Sequence, residues 1–475
     1  MMSGIIRISM SGGKGNNPPT IRNFRQEGKI ESTFFDIKYI AEDFENTILR
    51  HYVYIDGRKQ DISKDVGYEA INNEFTYRVN NLNLNTKYQI QIEVTDGIDT
   101  VRSDTISVTT ANYQIFGVRV MENNSNPNNC CTYIEDAIGV NPANSTSLNG
   151  WQDKFPFNKT RIVGFKNGKV IKAINPNNKT QYVGGGTVPS DVDVMVEIPK
   201  VYWKFTNITN GYEMRISNYK IDSSYDCYAH KVGGAEKDYI YVGAYLGYVE
   251  GGKLRSRSGV SPTVNQTIGT FRNQARANGS GYQQFNWFTL MLLQNLYLLA
   301  YKNLNSQSAL GKGYTNNNSN KTNTGGTNTR GWIFGESAGY TQMCFLGIED
   351  FWGNIFQWVD GMKTDGSYNV LVTPDNKTFN DDASRFKNVG KFVSSGTGGY
   401  VSKVAHTNEG GFFPKEFSGS NTTYYSDYGY PYSGSFARFG GYWNYGLYAG
   451  TFTLHVNCSA SRSYSSLGSR LVFLG

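Results

Sequence analysis

Apolar and polar positions alternate in short runs along the first quarter of the chain. Thr33–Tyr39, His51–Ile55, Phe75–Val79, Gln89–Val94 and Thr105–Val108 each read as a strand. Asp56-Gly57 and Asp96-Gly97 supply the turns between them. This spacing predicts a β-sandwich over 20–111, of about 90 to 100 residues, behind a leader, 1–19, that is flexible or bound to a partner and ends in Asn16-Asn17-Pro18-Pro19. A second domain is expected over 117–475. Val118-Arg119-Val120 opens it as a strand, and Cys131–Ile138 reads as a short helix. Asn167-Gly168 makes a hairpin turn, and Asp193–Lys204 and Tyr239–Tyr245 are strand blocks, the first interrupted by Pro199. From Phe285 to Asn303 the chain is apolar nearly all round, which predicts a buried helix. It is too short and too well flanked by polar residues to span a bilayer.

Two later stretches carry more pattern. In 347–361, Phe351, Trp352, Ile355, Phe356, Trp358 and Val359 form a dense apolar cluster around a Gly353-Asn354 turn. In 440–475, Gly440, Gly441, Gly446, Gly450 and Gly468 read as turn devices. Trp443, Phe452, Leu454, Val456, Leu471 and Phe473 read as buried anchors. Between the anchors stand Tyr442, Asn444, Tyr445, Leu447, Tyr448, His455, Asn457, Cys458, Arg462, Tyr464 and Leu467, with no core periodicity. Ligand-binding residues are expected among them: Tyr442, Asn444, Tyr445, Leu447, Tyr448, His455, Asn457, Arg462 and Tyr464, on one exposed face. On that division Tyr445→Ser with Tyr448→Ser should change stability by less than about 0.5 kcal/mol, and Trp443→Ala should cost roughly 3 to 5 kcal/mol.

Composition sharpens the picture. The 34 Tyr and 53 Gly among 475 residues suit β-rich domains with many turns and an aromatic contact surface. The net charge of +7 lies beyond residue 111, where Lys+Arg number 33 against 24 Asp+Glu. It is spread rather than clustered, so nucleic-acid binding is not expected. Five cysteines, two of them adjacent, do not read as a disulfide framework. No CxxC spacing occurs, and four histidines leave little for zinc or His-based catalysis. The N-terminus lacks the pattern of a secretory signal.

The residues Phe439-Gly440-Gly441, Trp443, Ala449-Gly450, Ser459-Ala460-Ser461 and Gly468-Ser469-Arg470-Leu471 resemble the variable repeat of proteins diversified by retroelements, the tail-tip receptor-binding proteins called major tropism determinants. The 347–361 segment resembles one shared by formylglycine-generating-enzyme-like domains and those proteins, which implies scaffold roles for Trp352, Gly353, Asn354 and Trp358. In 20–111, Leu84 with Tyr88 and the strand Thr105–Thr110 resemble the tyrosine corner and last strand of a fibronectin type III module. The fold class implied is α+β and β-rich: a fibronectin III-like β-sandwich, then a C-type lectin fold of the formylglycine-generating-enzyme-like subclass, with the variable repeat at about 440–475. A buried helix packed on a sheet is part of that expectation.

The function implied is receptor binding at a phage tail or fibre tip. The alternatives are a bacterial surface adhesin of the same fold and a catalytically dead formylglycine-generating-enzyme-like protein. Where that enzyme family carries two close cysteines, Trp443–Tyr448 contains none. Glu349, Asp350 and Asp360 are the carboxylates that could form an acid/base pair, but nothing in the sequence places them in a cleft and Glu349-Asp350 more readily serve turns, so no catalytic residue is expected. The family's calcium loop does not occur intact, since Trp443-Asn444 is followed by Tyr445. No cofactor and no metal site are expected. The implied partners are a host cell-surface protein or polysaccharide and other tail or fibre proteins through the N-terminal module, in a homotrimer, with no nucleic acid and no membrane insertion. The implied location is the virion or, alternatively, a bacterial surface. Gly311–Arg330 reads as a surface loop or an inter-subunit arm. Tyr424, Tyr425, Tyr428, Tyr430 and Tyr432 either extend the binding face or pack between subunits.

Overall fold

Alternation at period two builds the first unit, 1–114, of the computed structural model, which describes residues 16–28, 30–45, 49–111, 113–316, 319–377, 379–392 and 397–475. Its strands are β1 (Thr20–Glu27), β2 (Phe35–Glu42), β3 (Arg50–Ile55), β4 (Arg58–Asp61), β5 (Gly67–Glu69), β6 (Glu74–Val79), β7 (Lys87–Thr95), β8 (Thr100–Arg102) and β9 (Ile106–Thr109). One sheet has the order β1-β2-β6-β5; the other has β4-β3-β7-β8, with β9 also on β7. Phe35, Ile37, Tyr39 and Ala41 of β2 and Tyr88, Ile90, Ile92 and Val94 of β7 point into one core. The β3–β4 turn takes positive φ at both central residues, Asp56 and Gly57, the geometry that matches strand twist. Tyr88 accepts a hydrogen bond at its hydroxyl from the Asn83 amide (2.7 Å). Leu84 does not belong to that corner: it is exposed, and Leu82 takes the buried position. Residues 1–15 of the expected leader lie outside the described residues. Asn16 is tied down through hydrogen bonds to Asp96 (2.7 Å) and Asp99 (2.9 Å).

The second unit, 115–475, is β-rich and organised on one helix. Helix α2 (Trp287–Tyr301) follows the shorter α1 (Ile268–Arg276), and every one of its residues is buried. Its first turn is capped by Asn286, whose side chain accepts from the Thr289 amide (3.0 Å). Lys302 ends it in the left-handed region. A helix with no polar face needs cover on all sides, and three sheets contribute to the core around it. The first runs Cys131–Glu135, Ile115–Met121, Gly211–Ser217, Tyr202–Ile208. The second runs Lys169–Ala173, Arg161–Lys166, Asp193–Pro199, Tyr239–Gly243, Leu471–Phe473, Tyr282–Gln284. The third centres on Phe356–Thr364, Phe436–Phe439, Leu454–Cys458 and Tyr428–Pro431, with Leu467–Gly468 parallel to its first strand.

Several local expectations change. Cys131–Ile138 does not form a helix; Cys131–Glu135 is a strand, with Cys131 and Tyr133 inward and Thr132 outward against Ile115–Met121. β-branched and aromatic side chains at period two fit a pleated surface better than a helix. The block 193–204 splits into two strands in different sheets, because Pro199 has no N–H with which to continue the ladder. Gly311–Arg330 has no helix or strand among its described residues, but it is not a free arm. Thr315, Thr324 and Thr327 are buried, and the Gly325 and Thr327 amides donate to the carboxylate of Glu349 (both 2.7 Å).

Glu349 and its neighbour Asp350 are wholly buried, as is Arg470. The Arg470 guanidinium donates to Gln357 Oε1 and to the backbone carbonyls of Gly243, Glu349 and Asp350, each at 2.8 Å. Burial lowers Arg470 to about 10, so it stays charged at neutral pH. Burial and then the adjacent Glu349 push Asp350 well above the usual carboxylate range. Arg470→Leu should therefore cost about 3 to 5 kcal/mol, since four acceptors lose their donor at once. Guanidinium denaturation of the full chain checks this; an unchanged midpoint would show that the guanidinium does not hold the junction.

Candidate binding surface

The final stretch folds back over the outer face of the third sheet. Strand Leu454–Cys458 sets Leu454 and Val456 toward α2 and His455 on the opposite side, paired in register with Arg438 on one neighbour and Tyr430 on the other. Phe356 lies against His455 on that outer side (5.2 Å). Residues 440–450 then form a tight coil over it. Gly441, at positive φ, packs so closely that a Cβ would meet Ala449 and Tyr445 at 2.8 and 2.9 Å. A Cβ on Gly450 would strike the buried carboxylate of Asp427 at 2.1 Å. Both positions therefore demand glycine.

The coil is pinned from below by backbone hydrogen bonds. Gly353 donates to the Gly440 carbonyl (3.0 Å), Trp443 to Asn354 (3.0 Å) and Gly446 to Thr315 (3.1 Å). Gln307 reaches up to the carbonyls of Gly446 (2.9 Å) and Ala449 (2.6 Å). Asn354, at positive φ, donates to Asp350 (2.8 Å) and exchanges hydrogen bonds with the Thr322 backbone. The 347–361 turn and the 311–330 segment thus form the underside of the surface.

On this base lies a continuous run of rings. Tyr400, Tyr428 and Tyr448 meet at 4.8 to 5.6 Å between centroids. Tyr448 continues to Tyr445 (5.5 Å), Tyr445 to Tyr442 (5.3 Å) and Tyr442 to Trp443 (5.3 Å). Phe356 lies against Tyr442 and Tyr445 (5.8 and 5.1 Å). The Arg438 guanidinium stands over Phe356 (4.3 Å) and reaches Tyr464 (5.7 Å).

The expected binding residues divide. Asn444, Leu447, Tyr448, Arg462 and Tyr464 are exposed; Tyr442, Tyr445 and Asn457 are half-buried. His455 is not displayed at all: at 4% exposure it lies beneath the rings, and its Nε2 bonds the Tyr445 hydroxyl (2.6 Å). Burial, then the nearby Arg438 charge, hold its pKa well below the usual value, so it is neutral. Trp443 is not a core anchor either. It is half-buried at the edge of the run, because the coil turns at Gly440-Gly441 and carries it outward. The upstream tyrosines also divide: Tyr425 is core, bonded to Tyr212 (3.1 Å) and Glu122 (2.8 Å), whereas Tyr428 and Tyr430 join the surface through His455. Tyr400, Phe356 and Arg438 were not foreseen as part of it. Only Arg438 carried a sequence signal, as the one charge in the apolar strand Phe436–Phe439.

No known family model matches the chain, and no curated protein matches it. Among solved structures, it is similar to the I1 variant of Major Tropism Determinant, with a TM-score of 0.27 and 14% identity over 82% of this chain and 81% of that one. The M1 variant gives a TM-score of 0.28 and 12% identity over the same shares. The P3c variant gives 0.26 and 14% over 66% and 71%. At these TM-scores the likeness does not establish a common fold.

The rings rank by support. Tyr445→Ser should cost about 2 to 4 kcal/mol, since it empties a packed site and leaves buried His455 without its hydrogen bond. Tyr448→Ser should change stability by less than about 1 kcal/mol, and Trp443→Ala should cost less than Tyr445→Ser. Melting curves of the three single variants check this order. An equal loss for Tyr445→Ser and Tyr448→Ser would remove the distinction between supporting and displayed rings.

Proposed function

We propose that the chain is a receptor-binding protein of a phage tail or fibre tip that grips a host surface through the Tyr-rich face of 440–464. One observation carries the reading: displayed rings lie on a base of separately anchored backbone, so the contacts can change while the turns beneath them stay. Tyrosine gives such a face large contact area at low rotamer cost. The motifs at 347–361 and 439–471 support reading 115–475 as a C-type-lectin-like unit with its variable repeat at about 440–475. The two-sheet order and the Tyr88–Asn83 hydrogen bond support reading 20–111 as a fibronectin III-like module, whose place would be attachment to other tail or fibre proteins.

This is a binding protein rather than an enzyme. Glu349 and Asp360 are occupied in structural hydrogen bonds, the latter with Arg272 (2.7 Å) and Gln284 (2.9 Å), and all five cysteines are buried free thiols. Among the described residues no helix is long and apolar enough to cross a membrane. The location proposed is the virion. A bacterial surface adhesin would use the same face.

Leu447→Ser with Tyr448→Ser should keep the melting temperature within a few degrees and weaken cell binding by tenfold or more, because displayed aromatic anchors can each contribute about 2 kcal/mol. Titration of labelled protein onto host cells reads this, and undiminished binding would refute the assignment of the face. The protein is further expected to be a trimer, which multiplies weak sites into avidity. Multi-angle light scattering at micromolar concentration should give three times the chain mass, and a monomer mass would reject it.

A further inference from the structure

Six arginines of the second unit are buried or half-buried: Arg215, Arg255, Arg257, Arg272, Arg438 and Arg470. Five have acceptors. Arg215 pairs with Glu135 (2.8 Å), Arg255 with Asp193 (3.0 Å), Arg257 with Glu250 (2.7 Å) and Arg272 with Asp360 (2.7 Å), while Arg470 takes Gln357 and three carbonyls. Arg438 alone among them has neither a carboxylate nor a carbonyl partner among the described residues, and its Nε is buried without an acceptor. Guanidinium is always charged and has five N–H donors in a planar fork. Here it stands over the Phe356 ring (4.3 Å) and within reach of Tyr464 (5.7 Å). Its own stretch offers no acid to neutralise it: from Tyr428 to Gly475 the chain has no Asp or Glu, and the other two arginines of that stretch are exposed Arg462 and buried Arg470.

We propose that Arg438 is the specificity-determining subsite of the aromatic face, and that it seats an Asp or Glu carboxylate of an acidic protein surface. The inference rests on the reading of that face as the contact surface. A planar guanidinium flanked by rings suits a carboxylate held in two parallel hydrogen bonds. A protein fits the remaining chemistry better than a polysaccharide. Three neighbouring pairs are set steeply, Tyr400 to Tyr428 at 80°, Tyr428 to Tyr448 at 71° and Tyr442 to Trp443 at 89°, while Tyr400 to Tyr448 and Tyr442 to Tyr445 are tilted by 35° and 40°. The mixture offers edges and hydroxyls rather than one flat platform for a run of sugars, and 428–475 contributes no carboxylate to accept from sugar hydroxyls. Mixed apolar side chains around one acidic group match it.

The test uses the full chain as wild type, Arg438→Gln, Arg438→Lys and Tyr448→Ser, with a yeast-displayed library of random peptides as probe and solution binding of the enriched peptides afterwards. Peptides enriched on the wild type should carry Asp or Glu next to aromatic or aliphatic residues. Arg438→Gln should weaken them at least tenfold, and Arg438→Lys by less. Replacing the peptide's Asp by Asn should cost the wild type the same factor and the Arg438→Gln variant nothing further. Melting curves accompany each variant; if Arg438→Gln is unfolded, the Arg438→Lys comparison carries the cycle. Acid-free peptides, equal affinity of wild type and Arg438→Gln, or no enrichment would overturn the proposal. Arg438-dependent binding of polygalacturonate in place of peptides would overturn it as well. If Tyr448→Ser loses binding while Arg438→Gln keeps it, the aromatic face stands and the anion subsite falls. If neither variant loses binding, the reading of the face itself fails.

Discussion

The second unit depends on a charge placed where water cannot reach it. Arg470 joins the strand Leu471–Phe473 of one sheet to the Glu349-Asp350 turn and, through Gln357, to the central strand of another. A buried guanidinium is tolerable only if its donors are satisfied and its charge is balanced. The carbonyls and Gln357 supply the first condition, and the nearby Asp350 and Glu349 favour the charged form. Glu349 is in turn fixed by the amides of Gly325 and Thr327. The polar segment 311–330 is thereby ordered by the same turn whose carbonyls receive Arg470.

That chain of dependence ends at the surface. Asp350 accepts from Asn354, Asn354 holds the Trp443 amide, and Thr315 holds Gly446. The coil bearing the tyrosines is therefore fixed by groups that belong to other parts of the sequence, none of them displayed. Separation of this kind lets surface side chains change at little cost to stability, whereas Tyr445 and His455 fall on the structural side because their hydrogen bond is buried.

How much was legible in the sequence follows from what each signal measures. Helix α2 was readable because fifteen residues without a polar face have one stable environment. In the first unit β2, β3, β6, β7 and β9 were readable because alternation and Asp-Gly turns are local properties, whereas β1, β4, β5 and β8, with mostly exposed or half-buried residues, were not. His455 was misplaced because alternation around Leu454 and Val456 says only that it faces away from α2, not that Phe356 and Tyr445 cover that side. Trp443 was misplaced because size alone suggested burial, while the positive φ of Gly440 and Gly441 decides its direction. Composition marked 311–330 as loop, and nothing local could reveal the carboxylate waiting to receive its amides. Arg438 was visible as the one charge in an apolar strand, but its lack of a partner showed only once every other sheltered arginine had been given one.

The two arginines at opposite ends of this arrangement show one rule with two outcomes. Both lie within residues 428–475, and both are surrounded by rings or backbone. Arg470 is closed off, so its charge must be answered inside the protein, and it is answered by acceptors at 2.8 Å. Arg438 keeps part of its surface open to solvent, so water can stand in until a partner arrives. An uncompensated charge costs a free protein little at the surface, yet once a docking surface excludes water the same charge penalises every partner without an acceptor. Selectivity then comes from what the face lacks. With no carboxylate of its own to satisfy Arg438, the surface discriminates by the acid it requires of its partner, while the tyrosines around it supply area.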